Sequence, residues 1–245
     1  MFNFREKITP QAEHESGFYE KVINKIIDKW SSDIDRKGKN INGGSTADIL
    51  ILEENNTICV KAIRPGKTHA RNIKLYNRAK AELSLLDNLS NPEFLRSIGI
   101  DFNIVPKPLY AKETVGGDFL FMEKIEGFSI KDLIKENKYD DLPKDFDVSA
   151  FLNKLEFIIN TLNEKANIFH RDFHYGNIMI NELGNPIIID FGDAKEIYLS
   201  GEDPYKEDDN FGNVTQYRSD KNNLADVKEQ LESYIQKNKK TIVFA

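Results

Sequence analysis

The stretch from His170 to Gly192 constrains this chain more than any other. It reads His170-Arg171-Asp172-Phe173-His174-Tyr175-Gly176-Asn177-Ile178-Met179-Ile180, and Asp190-Phe191-Gly192 follows a short way downstream. Asp190 is preceded by the apolar run Ile187-Ile188-Ile189, so the segment between Asn177 and Asp190 reads as a hairpin ending in an apolar strand. Such a hairpin sets a carboxylate, an amide and a second carboxylate on the loops at its two ends. Oxygen groups of this kind suit a hard divalent cation and a carboxylate that accepts a proton.

Composition narrows the remaining choices. The 245 residues suit one large domain or two small lobes and are ample for a buried core. Runs such as Ile187–Ile189 are far too short to span a bilayer, and Met1–Lys7 holds no apolar signal core. Nothing therefore indicates Sec-type export, and the reading is a cytoplasmic protein with no membrane partner. The single Cys59 excludes an internal disulfide framework, and four scattered histidines speak against a structural zinc site. A net charge of −6 argues against a nucleic-acid partner.

Periodicity organises the chain. From Glu13 to Trp30 the residues Phe18, Tyr19, Val22, Ile23, Ile26, Ile27 and Trp30 form one broad stripe, which predicts an amphipathic helix packed on the body. Ser31–Asn42 reads as a loop. Strands are expected at Ile49–Leu52 and Thr57–Ile63 around a polar turn at Glu53–Asn56, then a helix from His69 to Leu89, with Pro92 discouraging its continuation. Two strands near Leu109–Lys112 and Asp118–Met122 meet across Val115-Gly116-Gly117. Helices follow at Ser129–Glu136, Val148–Ala166 and Tyr217–Gln236, while the acidic Ile197–Asn213 reads as a solvated loop. The layout is an α+β fold of two lobes: a helical extension at 1–40, a strand-rich lobe at 41–122, and a connector with a helical lobe at 123–245.

The pair of loops resembles the catalytic and metal-binding loops of the protein-kinase superfamily. The resemblance implies a two-lobed kinase-like fold whose helical C-lobe is truncated, since the sequence after Asp190 is short and holds no Ala-Pro-Glu segment. It also implies ATP and Mg2+ as cofactors. Asp172 matches the base for the attacking hydroxyl, Asn177 and Asp190 the metal ligands, and Lys61 the strand lysine that contacts the phosphates. Glu82, on the helix expected after that strand, matches the lysine's ion-pair partner in its spacing from Lys61. Gly43, Gly44 and Ser45 stand where the phosphate loop would run, although Asn42 and Ala47 depart from its glycines. Met122 matches the gatekeeper, with the backbone of Glu123 and Ile125 facing adenine. Cys59 shares a strand face with Lys61, which makes it the adenine roof, and Met179 is matched to the floor. Asp220 or Asp226 is expected to support the catalytic loop, with nothing to choose between them. Tyr198, Ser200, Tyr205 and Thr215 are candidate phosphorylation sites.

His174 bears on the substrate. Familiar serine/threonine kinases place a lysine two residues after the base, and His174 departs from this toward the form found in small-molecule kinases. The short C-lobe resembles compact kinases that some bacteria inject into host cells. The expectation is a minimal serine/threonine protein kinase, with a host-cell protein and a dedicated secretion route within its reach. Two alternatives stay open: a small-molecule kinase of the aminoglycoside-phosphotransferase kind, and a non-catalytic pseudokinase.

Overall fold

The computed structural model describes residues 17–29, 47–52, 55–63, 78–197, 202–208 and 214–242. Four strands, β1 (Asp48–Leu52), β2 (Asn55–Ile63), β3 (Pro108–Thr114) and β4 (Gly117–Glu123), form an antiparallel sheet in the order β1-β2-β4-β3. Strand alternation divides its side chains between two partners. Leu52, Ile58, Val60, Ala62, Phe119 and Phe121 pack on α1, the helix at 17–29, through Tyr19, Val22, Ile23 and Ile26. Leu120, Met122 and Cys59 face the other way, toward α2 (Arg78–Ser90) and the rest of the molecule. The apolar stripe of the first helix is therefore core, and each fully buried large side chain there contributes about 1.5–3 kcal/mol.

The helix α2 ends at Ser90, as Pro92 leads one to expect, and the sequence reading lacked only the short helix that follows. Pro92 begins a new helix, α3 (Pro92–Ile98), because a proline is tolerated in the first helical turn and the Asn91 side chain accepts the N–H groups of Glu93 and Phe94.

The second lobe is helical with small sheets. It contains β5 (Gly127–Ser129), α4 (Ile130–Lys135), α5 (Val148–Glu164), β6 (Ile168–Phe169), β7 (Ile178–Asn181), β8 (Pro186–Ile188), β9 (Lys195–Glu196), β10 (Lys206–Asp208), β11 (Val214–Gln216) and α6 (Asp220–Ile242). β5, β7 and β8 form one sheet, with the pair β7–β8 as the hairpin between the two key loops. Gly127 has φ 145°, and a Cβ there would lie 2.1 Å from the Ile180 carbonyl oxygen, so the connector can enter the second lobe only through a glycine. Ser129 then caps α4: its hydroxyl accepts the Asp132 N–H (3.1 Å) and donates to Asp132 Oδ2 (2.6 Å). One hydrophobic cluster runs from Ala79 and Leu86 of α2 through Phe191 to Leu155, Ile159, Val227 and Leu231, so the lobes share a core as well as a connector.

Further expectations change in this lobe. The acidic loop contains the strand β10, which pairs with β11 just beyond it, a pairing its charged sequence conceals. The last helix starts at Asp220 instead of Tyr217 and runs to Ile242. Of the helix expected from His69, the part before Arg78 lies outside the described residues, as do Trp30 and the loop at Ser31–Asn42.

Candidate active site

The site lies where the sheet's inner face meets the β7–β8 hairpin. Lys61, in the middle of β2, is buried, and its Nζ donates to Glu82 Oε2 (2.7 Å) and Oε1 (3.0 Å) on α2. The same amine donates to Asp190 Oδ1 (2.5 Å), far away in sequence on the loop after β8. Burial alone would push Lys61 down, but the two carboxylates override it and hold the lysine above its usual range. Burial likewise opposes ionisation of Asp190, and Lys61 reverses that to hold the carboxyl below its usual value. The sequence spacing of Lys61 and Glu82 thus corresponds to a real ion pair.

Asp190 sits in the left-handed region at φ 63°, and Arg171 does so at φ 68°. Neither is a glycine, and strain of this kind persists only where surroundings impose it. Asp190 is tied by Lys61 and accepts the Gly192 N–H at 3.4 Å, while Phe191 packs on the His170 ring with centroids 4.7 Å apart. His170 donates through Nε2 to the Ile189 carbonyl (3.0 Å), and burial pushes its imidazole below the ordinary range.

The catalytic-loop candidate is held from below by Asp220, fully buried at the start of α6. Its Oδ2 accepts the His170 N–H (2.8 Å) and its Oδ1 the Arg171 N–H (2.9 Å). With its amide turned so that the nitrogen faces Asp220, Asn163 donates to Oδ2 (3.3 Å) and to the Ile168 carbonyl (2.8 Å). Asp226 is instead an exposed partner of Arg218, which decides between the two aspartates. The Arg171 guanidinium stacks 3.7 Å above the Tyr217 ring, and the Tyr205 hydroxyl accepts the Asp220 N–H (3.1 Å). Burial pushes the Tyr205 phenol up to about 12, and its hydroxyl is committed to the framework. Tyr198 and Ser200 lie outside the described residues.

Asp172 projects from this support, half-exposed. Asn177 Nδ2 donates to the Asp172 carbonyl (2.9 Å) and to its Oδ2 (3.1 Å), so the amide nitrogen is spent and Oδ1 is the end left for a cation. Among the described residues no group of three or more His, Cys, Asp or Glu is placed to hold a metal. Asn177 and Asp190 offer hard oxygen donors on adjoining loops, a set that fits magnesium shared with substrate phosphates, where the protein supplies only one or two ligands. His174 lies beside Asp172, with Nε2 3.7 Å from Oδ2.

Around the connector, the Glu123 N–H donates to the Lys107 carbonyl (2.8 Å) and the Lys124 N–H to the Thr57 carbonyl (2.7 Å). Met122 is buried in the shared core opposite Cys59 in the ladder, and Ile125 is half-buried. Burial raises the Cys59 thiol to about 11. Met179 alternates with the buried Ile178 and Ile180 and so turns out of the core. Gly43, Gly44 and Ser45 lie outside the described residues. Two further residues receive no role of their own from the sequence. Ile49 pairs with Lys61 and Ile51 with Cys59, so all four share the inner face, where Ile49 is 63% and Ile51 57% exposed. Their signal was the alternation of β1, which needed the ladder register before its outward row acquired a meaning.

Comparison with known proteins fits this geometry. The ABC1 atypical kinase-like domain matches residues 78–207, more than half of the chain. This chain belongs to that family. The ABC1-type chain is also 28% identical over 126 residues to a probable serine/threonine-protein kinase of Clostridium perfringens, covering 51% of this chain and 16% of the relative. A probable serine/threonine-protein kinase of Dictyostelium discoideum is 30% identical over 125 residues, covering 47% and 16%. A mitogen-activated protein kinase kinase kinase of Pyricularia oryzae is 27% identical over 157 residues, covering 62% and 15%. The chain spans about a sixth of the length of these curated relatives. The two-lobed α+β architecture is that of an atypical kinase-like protein, and among the described residues no helix is long and apolar enough to cross a membrane.

Proposed function

We propose that this ABC1-type chain is an ATP-dependent phosphotransferase that passes the γ-phosphate to a protein serine or threonine hydroxyl. The observation that carries the reading is the Lys61 amine bridging Glu82 and Asp190, which joins strand, helix and hairpin loop at one point. In this reading 41–122 and 123–245 are the two lobes around the nucleotide. Lys61 holds the α- and β-phosphates, with Glu82 fixing its position. Ile49, Cys59 and Met122 close over the adenine, Met179 lies beneath it, and the backbone of Glu123 and Ile125 meets its edge. Asn177 and Asp190 would hold magnesium, which neutralises charge on the phosphates when bound. Asp172 takes the proton of the attacking hydroxyl, and His174 stands at the γ-phosphate.

The seating of Arg171 on Tyr217 favours a loop that is ordered without a phosphate, because the guanidinium already has an aromatic partner. The test is incubation with labelled magnesium-ATP, alone and with a cell lysate. Label on protein bands that disappears in Asp172→Ala and Asp190→Ala supports the reading. Label confined to small metabolites would transfer it to a small-molecule acceptor. ATP binding without any label would make the chain a nucleotide-binding pseudokinase.

A further inference from the structure

Gly176 stands in the catalytic-loop candidate, yet its backbone does not ask for glycine: it is not among the residues with positive φ. Its neighbour explains it. A Cβ at this position would lie 2.8 Å from His174 Cε1 and 3.0 Å from His174 Nδ1, closer than the ring could tolerate without moving. The Gly176 N–H donates to that same Nδ1 at 2.9 Å. A ring nitrogen that accepts carries no proton, so in the neutral imidazole the proton is on Nε2. Nε2 lies 3.7 Å from Asp172 Oδ2, beyond hydrogen-bond range, so that proton is not spent on the carboxylate. Both side chains are about half exposed and open to a ligand. On the other side, Lys131 Cδ would be 3.5 Å from the added Cβ, and the Lys131 N–H donates to the Tyr175 carbonyl (3.1 Å). The start of α4 therefore backs the same turn.

We propose that Gly176 is a positioning residue for phosphoryl transfer: its bare α-carbon and its N–H seat the His174 ring so that Nε2–H donates to a non-bridging oxygen of the γ-phosphate beside Asp172. This rests on the phosphotransferase reading. Negative charge spreads over those oxygens as the bond to ADP breaks, and a donor already aimed at them needs no rearrangement during the reaction. Asp172 keeps its acceptor for the attacking hydroxyl, so the two side chains divide the work. The fold places a ring N–H where familiar serine/threonine kinases set a lysine.

The experiment uses the full chain and the variants Gly176→Ala, His174→Ala and the double mutant. Two quantities are read: kcat and Kd for magnesium-ATP, with water or the chain itself as acceptor, and the imidazole nitrogen signals of His174 by NMR without ligand. The expected result is an Nε2–H tautomer in the native protein, disturbed in Gly176→Ala. Each single variant should lose about tenfold or more in kcat, as removal of an aimed donor does. The double mutant should lose no more than His174→Ala, and Kd should stay within about threefold, which also shows that the variants fold. An Nδ1–H tautomer, native kcat in Gly176→Ala or His174→Ala, or losses that multiply in the double mutant would overturn the proposal. If the native chain neither hydrolyses ATP nor labels any acceptor, the phosphotransferase reading itself is refuted, and γ-phosphate donation with it; the native control separates that failure from the others.

Discussion

Lys61 shows how one residue can be decided by competing magnitudes. Removing an ammonium from water is costly, and only two close carboxylates keep the buried amine charged. Glu82 is itself buried, so Glu82→Ala should cost about 3 kcal/mol, the lower end for breaking a buried pair because Asp190 remains. For a chain of this size that is a Tm drop on the order of 6–12 °C, readable by calorimetry. His170 carries a pH signature. Burial holds its folded pKa below the unfolded value near 6.5, so below about that pH the unfolded chain binds a proton the folded one refuses. Stability should therefore fall as pH drops from about 6.5, and the urea midpoint of His170→Gln should fall less steeply over the same range. A raised Cys59 thiol is almost wholly protonated at pH 7, so alkylation there should be slow and should quicken toward pH 11. Site residues of this kind were legible in sequence because each is a rare residue type at a fixed offset from another. The parts played by Ile49 and Gly176 were not, because an isoleucine in a strand and a glycine in a loop are ordinary until the register or the neighbouring ring is known.

At the scale of elements, the decisive joint is the start of α6. The sequence offers Asp220 and Asp226 on one helix, and periodicity cannot choose between them. Only the packing of α6 against α5 sends Asp220 under the His170–Arg171 backbone and leaves Asp226 in solvent. Asp220→Ala leaves two buried N–H groups without their acceptor, at about 1–3 kcal/mol each. Its Tm should fall well below that of the native chain, and transfer activity should fall with it as Asp172 loses its support. Asp226→Ala breaks an exposed pair and should melt with the native protein. Equal melting of the two variants would contradict this account of the loop. The hairpin β10–β11 was invisible in sequence for a related reason: Lys206-Glu207-Asp208 has no apolar alternation, and its pairing is fixed by Tyr205 and Tyr217 bonding to each other and to the loop beneath. The long helices and the inner strands were legible because burial on one face imposes a period on the residues themselves.

Across the whole molecule, the sheet works as a partition. Its outer face is sealed by α1 through Tyr19, Val22, Ile23 and Ile26, with Tyr19 stacked on Tyr110 at 4.9 Å and Glu20 accepting from Lys112 (2.7 Å). Its inner face leaves Ile49 and Ile51 uncovered beside Lys61, which is an unusual place for two large apolar side chains. A ligand that is planar and apolar at one end and anionic at the other would cover the isoleucines and meet the amine together, and ATP has that form. Binding to the folded state alone stabilises it by about 2.7 kcal/mol at a hundredfold excess over Kd. Magnesium-ATP at that excess should raise Tm by about 5–11 °C for a chain of this length. Ile49→Asp places a carboxylate on the face that would meet adenine while disturbing no buried contact, because Ile49 is exposed. Its Tm without nucleotide should match the native value, and its shift at the same ATP concentration should collapse. A native-size shift in Ile49→Asp would mean that the nucleotide does not lie against this face, whatever Lys61 contributes.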